Sequence, residues 1–219
     1  MTGRDKALTL KISEIFYSLQ GEASRIGLPT VFVRLTGCPL RCTWCDTTHS
    51  FSGGTRMTLD QIIETVKPYG TPHVCVTGGE PLAQKNCLTL LAALCDAGYD
   101  VSLETSGALD IAPVDSRVSC IVDLKPPSSG EIEKNYWPNI DLLKRSDEVK
   151  FVIADRADYD WAKQIIVDHQ LAARCPLLFS PVQGALAARD LAEWILADKL
   201  PARFQMQLHK LLWGNMQGK

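Results

Sequence analysis

The sequence lacks an excess of basic residues: 23 lysines and arginines stand against 25 acidic residues, for a formal net charge of −2. Nucleic-acid binding over a broad surface needs a surplus of positive charge, so no nucleic-acid partner is expected. No apolar run is long enough to span a bilayer, and the opening stretch MTGRDKALTLKISEIF has no apolar secretory core. A cytoplasmic location without membrane contact is therefore expected, and thiols stay reduced there. Eight cysteines in 219 residues are too sparse for a disulfide scaffold. No repeat, low-complexity tract or linker divides the chain, so 1–219 reads as a single domain with a full core.

What is present is an alternation of short β-rich runs and helical stretches. TVFVRL (30–35), HVCVT (73–77), VSLE (101–104), CIVDL (120–124), VKFVI (149–153), PLLFS (176–180) and RFQMQL (203–208) read as strands. Helices are expected over 58–66, 86–97, 159–169 and 187–197, with Gly98 ending the second. Such alternation implies a parallel sheet with helical crossovers. The count falls short of eight strand–helix units, so the fold class is α/β, a partial, open β/α barrel. A doubly wound sheet is the alternative. Either fold places a site at the C-terminal strand ends, where TGGEP (77–81), ETSG (104–107), DLKPP (123–127) and SPVQG (180–184) fall.

The chemically densest stretch is RLTGCPLRCTWCDTTHS (34–50), with Cys38, Cys42 and Cys45 spaced C-x3-C-x2-C. Structural zinc takes four closed ligands, and only His49 or Cys75 stands as a candidate fourth. A 4Fe–4S cluster is commonly held by four thiolates, so three leave one iron corner open to a small molecule. The remaining cysteines, Cys75, Cys87, Cys95, Cys120 and Cys175, read as small buried hydrophobes, and Trp161, Trp194 and Trp213 as packing residues.

The trio, with Trp44 just before its last cysteine and the GGEP motif downstream, resembles the radical S-adenosylmethionine (SAM) superfamily. The resemblance implies that SAM chelates the open iron and that its reductive cleavage gives a 5′-deoxyadenosyl radical. Over nearly the whole chain the sequence is similar to the 7-carboxy-7-deazaguanine synthase family, through EIFYSLQGEA (14–23), VFVRLTGCPLRCTWCDT (31–47), VTGGEP, LETSG, DLKPPSSGE and QLHKLLWGN (207–215). That family converts 6-carboxy-5,6,7,8-tetrahydropterin to 7-carboxy-7-deazaguanine with loss of ammonia, a step toward queuosine and related deazapurines. It implies Mg2+, a homodimer and an external electron donor such as flavodoxin or ferredoxin.

The resemblance implies residue roles. Leu19, Gln20, Gly21 and Glu22 would bind the pterin edge, Arg34 the substrate carboxylate, and Thr77 and His209 the substrate, with Lys210 beside His209. Thr47 would ligate Mg2+. SAM would contact Trp44, Cys45, Asp46, Gly79, Glu104, Ser106, Asp123, Leu124, Lys125, Ser180, Pro181, Val182 and Gln183. Segments 10–29 and 205–219 would close the substrate site. Two departures stand out: Ala23 where many members have glycine, and Asp123 in DLK where many have SPK. A glycyl-radical-enzyme activase shares the cysteine spacing but needs neither LQGE nor CDT. A non-enzymatic iron–sulfur electron-transfer or zinc module leaves GGEP unexplained.

Overall fold

The structure is a computed structural model that describes residues 8–214 and 216–219. The first seven residues of the opening stretch and Asn215, which ends QLHKLLWGN, lie outside the described residues. In chain order come β1 (Thr9–Leu19), β2 (Pro29–Leu35), β3 (Thr55–Thr58), α1 (Leu59–Val66), β4 (His73–Gly78), α2 (Cys87–Asp96) and β5 (Asp100–Thr105). Then follow β6 (Ser119–Leu124), α3 (Asn139–Leu142), β7 (Glu148–Ile153), α4 (Arg156–Asp168), β8 (Leu177–Pro181), α5 (Ala188–Ala197), β9 (Arg203–Phe204) and α6 (Leu208–Trp213).

The nine strands form one sheet in the order β3-β1-β2-β4-β5-β6-β7-β8-β9. β1 runs antiparallel to both β2 and β3, and every pairing from β2–β4 to β8–β9 is parallel. β3 and β9 do not pair with each other, so the barrel is open, as the strand count implied. Among the described residues, no helix is long and apolar enough to cross a membrane.

Local chemistry explains the boundaries. Thr58 and Gln61 form a reciprocal capping box that starts α1, which then buries Ile62 and Val66. Asp155 Oδ1 accepts from Asp158 N at 2.9 Å, so α4 begins at Arg156, three residues before the periodicity suggested. α2 turns Leu90, Leu91 and Leu94 onto the sheet and ends as expected, with Gly98 at φ +88°. Val74, Val76, Val101, Leu103, Val122, Val149, Phe151 and Phe179 fill the core, each contributing about 1.5–3 kcal/mol of burial. Trp161 and Trp194 pack against that core. Cys75, Cys87, Cys120 and Cys175 are buried, while Cys95 is only partly so.

Two expectations need correction, and β1 was missed. The strand expected over 203–208 pairs only at Arg203–Phe204, because Gln205 and Gln207 turn toward the loops above the sheet and Leu208 opens α6. Trp213 lies outside the core, with Lys219 Nζ 6.0 Å from its ring centroid, since α6 leaves Leu211 and Leu212 exposed. β1 was not read as a strand: Lys11, Ser13 and Glu14 interrupt its apolar pattern.

Candidate active site

A cavity of about 680 Å3 opens at the C-terminal ends of the parallel strands. It gathers the expected residues from loops far apart in sequence: Leu19, Gln20, Gly21 and Glu22; Arg34; Cys38, Cys42, Trp44, Cys45, Asp46 and Thr47; Thr77 and Gly79; Glu104 and Ser106; Asp123 and Lys125; Pro181, Val182 and Gln183; and His209. Leu124 and Ser180 do not line it. Leu124 points into the core, and Ser180 is buried just behind Pro181.

The cysteine loop is anchored backbone to backbone. Glu80 N donates to Gly37 O at 2.8 Å and Gly79 N to Leu35 O at 3.3 Å. A Cβ on Gly79 would lie 2.3 Å from Gly37 O and 2.7 Å from Cys38 Cβ, so only glycine lets the two turns meet. The Glu80 side chain is fully buried and stitches the ends of β4 and β5. It accepts from Ser106 N at 2.7 Å, Thr105 Oγ1 at 2.9 Å and Leu82 N at 3.0 Å. In the GGEP motif, glycine thus serves close approach and glutamate ties the strand ends together.

The three thiols are free and half-buried. Burial pushes the Cys38 and Cys42 thiols up, and neighbouring thiol charge adds to the shift in both. His49, weighed as a fourth ligand, lies 3.5 Å from Glu14 Oε1, and Cys75 is sealed inside β4, where burial raises its thiol well above the usual range. Among the described residues, no three His, Cys, Asp or Glu side chains are grouped tightly enough to hold one ion. Three thiols spread along one cavity wall fit the separated corners of a cubane better than a single zinc. Among the buried polar atoms without a partner, Asp123 Oδ1 lies in the cavity wall and Ser180 Oγ behind it. The unpartnered Asp123 oxygen fits a polar cofactor seated beside the thiols.

A linked set of charges extends through the cavity from beside Cys42. Lys150 Nζ lies 2.8 Å from Glu22 Oε2 and 3.3 Å from Asp123 Oδ2, and Lys125 Nζ lies 3.1 Å from that same Asp123 oxygen. Burial raises the Glu22 carboxyl, but the Lys150 charge and hydrogen bonds from Lys150 and Gln207 outweigh it, leaving the group below its ordinary range. Gln20 Nε2 donates to Glu104 Oε1 at 3.3 Å, and Thr77 Oγ1 to Glu104 Oε2 at 2.9 Å. Arg34 gives its Nε to Glu14 Oε1 at 2.7 Å, across the β1–β2 ladder that pairs the two residues. Its terminal fork remains for a carboxylate.

The C-terminal segment crosses this mouth. Leu208 N donates to Gly21 O at 2.9 Å, and Gln207 Nε2 to Glu22 Oε1 at 2.7 Å. Lys210 Nζ sits 2.6 Å from Asp46 Oδ2, while Thr47 Oγ1 donates to Asp46 Oδ1 at 2.9 Å. Partial desolvation raises the Asp46 carboxyl, but the Lys210 ammonium and these hydrogen bonds hold it far below its usual range. Asp46 is thus shared between the cysteine loop and the tail. The Thr47 oxygen keeps lone pairs, which suits a hard cation that retains several waters.

Sequence reasoning missed Lys150, Gln207, Glu14 and the structural role of Glu80. A lysine within VKFVI was the available signal, because an ammonium in a buried strand demands a partner. Ala23 adopts φ +63°, the left-handed region in which the glycine of QGEG is at ease.

The Radical SAM superfamily pattern matches residues 32–119. The chain is 50% identical to the 7-carboxy-7-deazaguanine synthase of Chlorobaculum tepidum, over 93% of this chain and 94% of that one. It is 42% identical to the 7-carboxy-7-deazaguanine synthase of Koribacter versatilis, over 93% and 97%. In backbone it resembles the crystal structure of QueE from Escherichia coli, with a TM-score of 0.71 and 22% identity over 92% of this chain and 95% of that one.

Proposed function

Because this chain belongs to the 7-carboxy-7-deazaguanine synthase family of radical SAM enzymes, we propose that its cavity converts 6-carboxy-5,6,7,8-tetrahydropterin to 7-carboxy-7-deazaguanine with loss of ammonia. The cofactors are a 4Fe–4S cluster, SAM and Mg2+. One observation carries the reading: a single cavity has three free thiols in one wall and the Gln20–Glu22 turn in another. Held by Cys38, Cys42 and Cys45, the cluster would supply the reducing electron for SAM-derived radical chemistry at C6 of the substrate.

The residues of the chain do the rest. Cys38, Cys42 and Cys45 hold the cluster. Asp123 Oδ1, without a partner in the cavity wall, offers a polar contact to SAM, together with Lys125 and residues 181–183. Gln20 and Glu22 present a donor and an acceptor to the flat pterin edge. Arg34 clamps the substrate carboxylate with the fork that Glu14 leaves free. Thr47 contributes one oxygen to Mg2+, with substrate oxygens and water completing the shell. Segments 10–29 and 205–219 close the site, a role supported by the bonds from Gln207 and Leu208 to Glu22 and Gly21. An external one-electron donor of the flavodoxin or ferredoxin kind and pairing of two copies belong to the same proposal.

The test is an anaerobic incubation of cluster-loaded enzyme with SAM, reductant, Mg2+ and the pterin, read by mass spectrometry. Formation of 7-carboxy-7-deazaguanine that depends on SAM and reductant is expected. SAM cleavage without that product would overturn the substrate assignment while keeping the radical chemistry.

A further inference from the structure

Lys150 has no part in the roles given above, yet it sits where the two halves of the cavity meet. It stands on β7 in register with Asp123 of β6, between the fully buried Val149 and Phe151. Removing an ammonium from water costs several kcal/mol unless it is paired. Here it is paired twice, with Glu22 on the pterin side and Asp123 on the SAM side.

We infer that Lys150 is a positioning residue for substrate recognition: it holds the Glu22 carboxylate ionised and in one orientation, as acceptor for the adjacent N–H donors of the pterin's amino-pyrimidinone edge. The inference rests on the placement of the pterin at Gln20–Glu22 proposed above. A carboxylate meets two neighbouring donors well only when it is charged and its plane is fixed. Gln207 Nε2 holds Oε1 at 2.7 Å and Lys150 Nζ holds Oε2 at 2.8 Å, so neither oxygen is free to rotate away. Each keeps a further lone pair for the ligand. Without the ammonium, Glu22 would lose its partner at Oε2 and the charge that offsets its burial, leaving Gln207 alone to hold it.

Asp123 completes the device. Its Oδ2 lies within 3.3 Å of Lys150 and 3.1 Å of Lys125, so this one carboxylate bridges two ammoniums, with Glu104 adding a further negative charge near Lys150. The acid at 123 thereby acquires a reason: a hydroxyl there would leave Lys125 and Lys150 without the carboxylate that bridges them. Strung between Glu22 and Asp123, the Lys150 head cannot swing out of place.

The test uses cluster-loaded enzyme and anaerobic calorimetry, titrating 6-carboxytetrahydropterin in the presence of SAM, and SAM alone. Lys150→Met should weaken pterin binding about tenfold or more, the effect of one charge-assisted hydrogen bond, while SAM affinity changes little. Lys150→Arg should recover most of the pterin affinity. The Glu22→Gln/Lys150→Met double variant should bind pterin no worse than Glu22→Gln alone, because the two side chains act as one unit. Additive losses in the double variant, equal losses of pterin and SAM affinity, or no recovery with arginine would overturn the inference. Should Lys150→Met fail to fold, the arginine and double variants decide it by the same criteria. Wild-type enzyme that binds no pterin at all would instead sink the substrate reading.

Discussion

His209 lies directly over Gly21: a methyl group on that glycine would sit 2.1 Å from the imidazole Nδ1. One residue earlier, Leu208 N donates to Gly21 O. The turn assigned to the pterin edge and the segment that covers it are therefore fitted to each other at a single point, and glycine is needed there for space.

Gly21→Ala should displace the imidazole and loosen the cover without breaking the sheet. The obstructing atom belongs to a side chain, so the stability loss should be small, about 1 kcal/mol. The KM for the pterin should rise while SAM affinity holds. Calorimetry with each ligand checks this, and an equal loss for both would place Gly21 elsewhere in the mechanism.

Gly79→Ala is a different case, because its new methyl meets Gly37 O, a backbone atom, at 2.3 Å. The cysteine loop must move away from the strand end. Iron content after reconstitution should fall sharply and the fold should lose about 3 kcal/mol, read by iron assay and thermal unfolding. Full iron loading would show that the loop has slack the packing does not suggest.

Ala23→Gly should stabilise the protein. Ala23 pays for a left-handed backbone at about 1–2 kcal/mol, against about 0.5–1 kcal/mol for the extra freedom glycine loses on folding. A gain of about 0.5 kcal/mol is expected, raising Tm by about 1–2 °C. A lower Tm would mean that the Ala23 methyl, packed with Ile121 and Leu178, contributes more than the backbone costs.

Much of this was legible in the chain. Cys38, Cys42, Cys45 and Gly79 announce themselves because their chemistry depends on spacing over a few residues. The open barrel was legible because short β-rich runs such as HVCVT alternate with helices but fall short of eight units. Lys150 was not, since its meaning depends on register with Asp123 and on a turn 128 positions away. Nor was Glu80: a glutamate after two glycines reads as a surface turn until Thr105 and Ser106 are brought beneath it. RFQMQL failed for the same reason: after Gln205 N donates to Phe179 O the chain leaves β8, and the Gln205 and Gln207 side chains bond to Ala23 and Glu22, far away in sequence.

Docking of the tail should depend on pH. Burial lowers the His209 imidazole below its usual 6.5, a shift that the Glu22 and Asp46 charges partly oppose and Lys210 reinforces. The folded state thus favours neutral His209. Its contribution is complete above the unfolded pKa and is lost as pH falls from there through the lower folded value. Hydrogen exchange at Leu208, corrected for intrinsic rates, should accelerate in wild type as pH falls below the ordinary imidazole value and stay level in His209→Gln. Parallel behaviour in both proteins would clear His209 of that role.

Thr47→Ala should blunt the stimulation of turnover by Mg2+ and leave SAM binding intact. The comparison is a Mg2+ titration of initial rate for the two enzymes, alongside SAM calorimetry. An identical Mg2+ response would remove Thr47 from the cation site.

The bond from Ala23 N to Gln205 Oε1 joins residues 182 positions apart. The parallel strands from β4 to β8, by contrast, each pair with the next strand along the chain. A sheet of that kind can grow stepwise through modest loop closures, whereas the contact between 21–23 and 205–209 requires nearly the whole chain to be gathered first. On contact-order grounds the contact between 21–23 and 205–209 is expected to be the last to form during refolding, after the ladder of parallel strands that carries the cysteine loop.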